Sequence, residues 1–198
     1  DYEADLELYK KNGRCAPTGD FYRNFSVAEF GKGAGEKAAD IFAEQDGNMP
    51  RPSRWEDGPG NIYCNEIPWD DMKKQYDFVD EFEKLGTLIH SAGEKSRYDY
   101  WNHTFQAMKR TAEIGCLWGS FEIHCKADSH ESALADYKGL LRAVEELEYH
   151  LLMAVESNGD MGVITDIQQR AVTPILRQCK DKLTKWYSDL PELKENVV

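Results

Sequence analysis

The chain has 198 residues, with 24 Lys plus Arg against 36 Asp plus Glu and a formal net charge of -12. That length can bury a proper core in one sizeable domain or two small ones, while the acidic balance repels phosphate backbones and argues against nucleic acid and anionic membrane as partners. No apolar run approaches the roughly 18 residues that span a bilayer and no signal peptide is expected, while Asp1 in place of Met is expected of a processed chain or a piece of a longer one.

Residues 1–46 read as a helical N-terminal lobe. Leu6, Leu8 and Tyr9 lead into a Gly/Pro turn, after which Thr18 is expected to cap a segment carrying Phe21, Tyr22, Phe25, Val27 and Phe30. A break over Gly31 to Gly35 precedes a helix from Glu36 to Gln45, whose apolar face is Ala38, Ala39, Ile41 and Phe42.

Residues 47–69 form the long irregular region. They hold four of the seven prolines (Pro50, Pro52, Pro59, Pro68) and the turn signal Asp57-Gly58-Pro59-Gly60. A segment of this length without regular structure is usually functional or a linker. Linkers are poor in aromatic residues, whereas this one carries Trp55 and Tyr63, so an ordered loop wrapped on a surface is expected.

Residues 70–198 read as a helical bundle. Asp70 or Asp71 is expected to cap a helix running to about His90, and Ser91 to Gly93 to break it. From Lys95 to about Lys126, Tyr98, Trp101, Phe105 and Met108 recur at three- and four-residue steps. The stripe continues as Ala112, Gly115, Cys116 and Gly119, small residues that admit another backbone. Asp128-Ser129 ends this helix and caps the next, Glu131 to about Ser157, where Leu134, Tyr137, Leu141, Val144 and Leu151 keep a near-heptad register. Asn158-Gly159-Asp160 stops and restarts the chain, and the last helix runs to about Tyr187 with Pro174 expected to kink or split it. Short connections make neighbours antiparallel, and no segment alternates with period two. The expected fold is all-α, an up-and-down bundle with a helical N-terminal lobe, one compact domain overall.

The five cysteines form no CxxC, and three fall in helical segments, so buried thiols are expected rather than a disulfide framework. Cys116 and His124 are eight apart, not the four that a helical metal pair favours, so no metal site is expected and no cofactor is implied. The best binding candidate is the loop Arg51-Pro-Ser-Arg54-Trp55-Glu-Asp57-Gly-Pro-Gly. A tryptophan face stacks on the apolar side of a sugar ring while arginine and aspartate reach hydroxyls or a carboxylate. The plainer reading is that Trp55 plugs the bundle and the arginines pair with acidic neighbours. Trp69, followed by Asp70 and Asp71, either joins that loop or serves as a hydrophobic staple over first-turn aspartates. His103 alone reads as a core histidine. Carboxylates are plentiful, yet no strands are expected to hold a glycosidase pair, so no catalytic residue is assigned.

From Phe21 onward the order of motifs resembles the C-terminal helical region of large multidomain glycoside hydrolases from polysaccharide-degrading bacteria. The resemblance is carried by Phe21-Tyr22-Arg23, Glu29-Phe30-Gly31, Pro50-Arg51-Pro52-Ser53-Arg54-Trp55, Asp57-Gly58-Pro59-Gly60, Pro68-Trp69, Arg97-Tyr98-Asp99-Tyr100-Trp101 and Gly159-Asp160-Met161-Gly162. In architecture the chain is also similar to the helical C-terminal domain of the alpha-glucuronidases. The resemblance implies a secreted or periplasmic protein in which the catalytic acids sit on a preceding (β/α)-barrel, absent here. This chain would brace that barrel as its partner, offer Arg51, Arg54, Trp55, Asp57 and Trp69 to carbohydrate, and possess a surface for homo-oligomers. Two rivals stand beside it: a stand-alone helical interaction module that binds a protein partner through the tryptophan loop, and a small all-α enzyme using Arg51, Asp57 and His103.

Overall fold

The computed structural model describes residues 2–12, 18–54 and 61–187. In chain order the helices are α1 (Tyr2–Asn12), α2 (Thr18–Gln45), α3 (Trp69–Met72), α4 (Asp77–Lys84), α5 (Ala92–Lys126), α6 (His130–Met153), α7 (Asn158–Ile167) and α8 (Thr173–Leu183). Between α2 and α3 lie two strands of two residues, β1 (Ser53–Arg54) and β2 (Asn61–Ile62). The protein is an all-α helical bundle.

The helix expected from Asp70 to about His90 is helical from Trp69 to Leu88 but changes gauge. Tight 3-10 turns at Lys73–Tyr76 and Leu85–Leu88 flank α4. The stop before α5 is a capping box: Glu94 N–H donates to Ser91 Oγ at 3.2 Å and Ser91 N–H to Glu94 Oε2 at 3.2 Å. This box starts the helix at Ala92, earlier than the apolar stripe alone indicates. Ser157 and Asp160 form the same device at α7.

The described residues divide into two compact units, one within Asp1–Met49 and Asp80–Tyr98, the other within Pro50–Val79 and Asp99–Val198. The first unit differs from the lobe read in the sequence by including residues 80–98. Aromatic packing accounts for that grouping. The Phe82 ring lies 5.6 Å from Phe30, 6.0 Å from Phe42 and 5.5 Å from Tyr98, and each such ring contributes roughly 1.5–3 kcal/mol by burial. Tyr98 keeps its hydroxyl satisfied by donating to Glu83 O at 2.7 Å.

In the same unit α2 turns sharply at Gly31, whose φ of 75° and ψ of 168° are open to glycine but not to L side chains. The halves fold back closely enough that a Cβ on Gly35 would stand 2.5 Å from Ser26 O. The bend exposes carbonyls at the end of the first half, and Arg97 takes them: its Nε donates to Glu29 O at 2.9 Å and Nη2 to Ala28 O at 3.3 Å. A guanidinium there also complements the negative end of the helix dipole. Residues 3–11 of α1 are exposed along their length, Leu6, Leu8 and Tyr9 included.

In the second unit α5, α6 and α8 share one core. Ile114 and Phe121 of α5, Tyr137, Leu140 and Leu147 of α6, and Ile175, Cys179 and Leu183 of α8 are all buried in it. The pairs His103–His150, Arg110–Glu146 and His124–Asp136 run in opposite senses along α5 and α6, so these helices are antiparallel. His130 stacks on Trp186 at 4.0 Å, closing the other end of α6 against the chain after α8. The turn into α6 is a Schellman motif with Asp128, not glycine, in the left-handed position at φ 58°. Ser129 N–H reaches His124 O at 2.9 Å and Asp128 N–H reaches Cys125 O at 3.3 Å.

The last helical stretch is divided near Pro174, as expected, into α7 and α8, and Pro174 lies in the first turn of α8. Having no N–H, it leaves the Arg170 carbonyl without an α-helical donor. The chain widens instead into a π turn over Gln168–Val172, in which Thr173 N–H donates to Gln168 O. No helix among the described residues is long and apolar enough to cross a membrane.

Candidate functional site

The irregular region is held at two points. At its base β1 pairs antiparallel with β2, Ser53 opposite Ile62 and Arg54 opposite Asn61, a short ladder that the sequence did not indicate. Beyond β2 the chain runs as an extended strap, residues 63–66, across α5. Asn65 N–H donates to Gly115 O at 3.0 Å. A Cβ on Gly115 would stand 2.4 Å from Tyr63 O, and one on Gly119 only 1.9 Å from Asn65 O. The small-residue stripe expected to admit a backbone therefore admits this one.

Among the residues read as binding candidates, Arg51 is exposed just before the ladder, and Arg54 lies in β1 opposite Asn61. Trp55 and Asp57 lie outside the described residues. Trp69 opens α3 half-buried, its ring 6.3 Å from Tyr76; as the residue after the Pro68 cap rather than before it, it is not in the position of a hydrophobic staple. Asp70 and Asp71 are first-turn residues bonded to Lys73 at 2.6 Å and Lys74 at 2.9 Å. The Lys73 bond holds the Asp70 carboxyl below its ordinary range.

Beside the strap opens a cleft of about 480 Å³. Its walls are Asn61 to Cys64 on one side, the π turn with Pro174 and Gln178 on the other, and Trp118 of α5. Ile62, Tyr63, Trp118 and Ile175 make one part apolar or aromatic, and Asn61, Arg170 and Gln178 supply polar groups. Sequence reading missed this site because its walls come from three distant segments. Cys64 contributes a thiol whose pKa is pushed up by burial and by Glu122 and Glu66, so it is a poor nucleophile there. Burial raises Cys116 to about 11, and Cys179 is driven up in the same way. The cysteines of the described residues are free.

A second polar cluster joins α5 to α6. His103 Nδ1 stands 2.9 Å from His150 Nδ1, which requires one ring to donate and the other to accept. Arg110 binds Glu113 at 2.5 Å through Nη1. Its Nε stands 2.8 Å from Glu146 yet makes no aligned hydrogen bond. Asn102 Oδ1 is buried without a hydrogen-bond partner. His103 is thus engaged with a second histidine 47 positions away, a pairing visible only once the antiparallel register is known. Among the described residues no group of three His, Cys, Asp or Glu is placed to hold a metal ion.

The histidine pair makes stability depend on pH. Burial, then the charges of His103 and Arg110, push His150 down to about 4 from an ordinary 6.5, against an opposing pull from Glu146. The unfolded chain therefore binds a proton between these values that the folded one refuses, and stability falls as pH drops from about 6.5 toward 4. His150→Gln should remove that component: in thermal melts the wild-type Tm falls relative to the variant over this window. Parallel curves would show that the pair does not carry the effect.

No protein-family model, no curated protein and no solved structure matches the chain.

Proposed function

We propose that this chain is an accessory helical domain of a polysaccharide-degrading glycoside hydrolase, bracing a catalytic barrel and presenting the Arg51–Gly60 loop to carbohydrate. The observation that supports the reading is the clamping of that loop. The β1–β2 ladder closes its base, and the strap that continues it is seated on Gly115 and Gly119 of the longest helix. Binding groups carried on a fixed base lose less conformational entropy when a ligand arrives, which is what a sugar contact built from few residues needs. The buried faces of α5, α6 and α8 pack on one another in a single core, which gives the rigid body that a bracing role needs.

Tryptophan fluorescence titrations with neutral and uronic-acid oligosaccharides test it. A ligand-induced change is expected in the wild type and lost in Trp55→Phe. An unchanged signal with every sugar, or hydrolysis of any of them by the polypeptide alone, would overturn the reading. A specific observation favours the interaction-module alternative: Tyr149, Leu152 and Met153 in the last turns of α6, and Met161 in α7, are all exposed. Under that reading, Leu152→Glu abolishes a protein contact and leaves sugar titrations untouched.

A further inference from the structure

A chain this acidic carries a stretch of opposite sign along its last helix. From residue 170 to residue 185 there are five basic residues (Arg170, Arg177, Lys180, Lys182, Lys185) against one acidic, Asp181. Lys182 is neutralised by Glu122 at 2.5 Å, and Arg170 stands at a looser 3.6 Å from Asp166. Positions 174, 177 and 185 recur at helical spacing and share a face, Arg177 and Lys185 are exposed on it, and Arg170 is exposed on the π turn before it.

That face continues the strap cleft. A second concavity of about 510 Å³ lies along α8 beneath Arg177 and Lys185, and the two hollows share Pro174 and Gln178 as a common rim. The joined site has two chemically distinct ends. At the strap end Ile62, Tyr63 and Ile175 offer apolar contact, and at the α8 end Arg177 and Lys185 outnumber Asp181, with Lys182 held by Glu122. Volumes of this size suit a small organic ligand. Arg170 lines the strap end and Arg177 the α8 end, so charged groups on both sides of the shared rim fix which way round the ligand lies.

We propose that the groove formed by the Asn61–Cys64 strap, the π turn and α8 binds a small amphipathic organic anion, its apolar ring against the strap and its carboxylate or phosphate toward Arg170 and Arg177. The π turn is part of the site. By widening the helix it offsets Arg170 from the register that Arg177 keeps, so two guanidiniums approach one anion from different heights. The chain as a whole is acidic, so the basic residues of this groove give an anion a local gain against an unfavourable background.

The test uses the full chain and four probes: phenylacetate, phenyl phosphate, the neutral phenylacetamide and inorganic phosphate, each titrated at millimolar concentrations by calorimetry and by amide shifts in NMR. Phenylacetate or phenyl phosphate is expected to bind, the stronger of the two identifying the anionic group, with shifts at residues 61–64 and 170–178. Phenylacetamide and inorganic phosphate should bind at least tenfold more weakly, since each lacks one half of the ligand. Arg170→Gln and Arg177→Gln should each cost about tenfold, while Arg142→Gln, a control on exposed α6, changes nothing. Equal binding of phenylacetamide, no binding by either aromatic anion, or shifts confined to other residues would overturn the proposal. Because none of these probes is a sugar, the outcome is independent of the carbohydrate reading.

Discussion

Gly119→Val is expected to destabilise the second unit by about 3 kcal/mol, the upper end of overpacking costs. At roughly 2–4 °C per kcal/mol for a chain of this length, Tm falls by about 6–12 °C. The cause is a collision with backbone, which cannot rotate away as a side chain would. A Cβ at this position lies 1.9 Å from Asn65 O, 2.4 Å from Asn65 C and 3.0 Å from Glu66 N. Either α5 shifts and disturbs Ile114 and Phe121, which are fully buried, or the strap lifts. Lifting breaks the Asn65 to Gly115 hydrogen bond, worth about 1 kcal/mol net, and withdraws Ile62 from the core. Gly162→Ala is the control, because nothing lies within 4 Å of its added Cβ and alanine raises helix propensity. Circular dichroism melts of both variants decide the matter. A Gly119→Val protein melting with the wild type would mean that the strap does not lie on this helix.

Two glycines separated by one residue in α2 should respond with opposite signs. Gly31→Val forces a β-branched side chain into a φ of 75°, a strain on the order of 1–3 kcal/mol. It also drives Cβ to 2.5 Å from Glu94 Oε1. That carboxylate is fixed by the capping box with Ser91, which also holds its pKa below the ordinary value, so moving it weakens the start of α5. The combined loss is expected at about 3 kcal/mol. Gly33→Ala meets nothing within 4 Å and should stabilise the protein by about 0.5–1 kcal/mol through helix propensity. Urea midpoints separate the two. In a Glu94→Ala background the Gly31→Val penalty should shrink but persist, because backbone strain survives removal of the carboxylate. Equal midpoints for Gly31→Val and Gly33→Ala would dispose of the bend as a glycine-specific feature.

The helical class was legible because the apolar stripes of α5, α6 and α8 repeat with the period of a helix over many turns. The close approach at Gly115 and Gly119 was legible as a stripe of small residues, though not what would occupy it. Helix starts were read less well: Ser91 and Glu94 spell a capping box, but Gly93 between them reads as a break. A proline inside a helical pattern announces a disturbance without naming its form, and at Pro174 the π turn absorbed it. Residues 80–98 continue the bundle's pattern in sequence, and only the packing of Phe82 on Phe30 and Phe42, with Tyr98 stacked on Phe82, assigns them to the first unit. The cleft and the histidine pair were hidden for one reason. Both depend on register between segments far apart, which periodicity within a segment does not encode.

The strap also bears on the order in which the chain can assemble during synthesis. Everything the first unit needs has been made once Tyr98 is added. The groove cannot exist at that stage: Asn61 to Cys64 must wait for the wall that begins at Arg170. Contacts of such long sequence separation carry the greatest loop-closure penalty and are established late. A ribosome therefore releases the first unit's complete sequence well before the groove has its second wall, and truncation anywhere before the π turn removes the groove while sparing that unit's sequence.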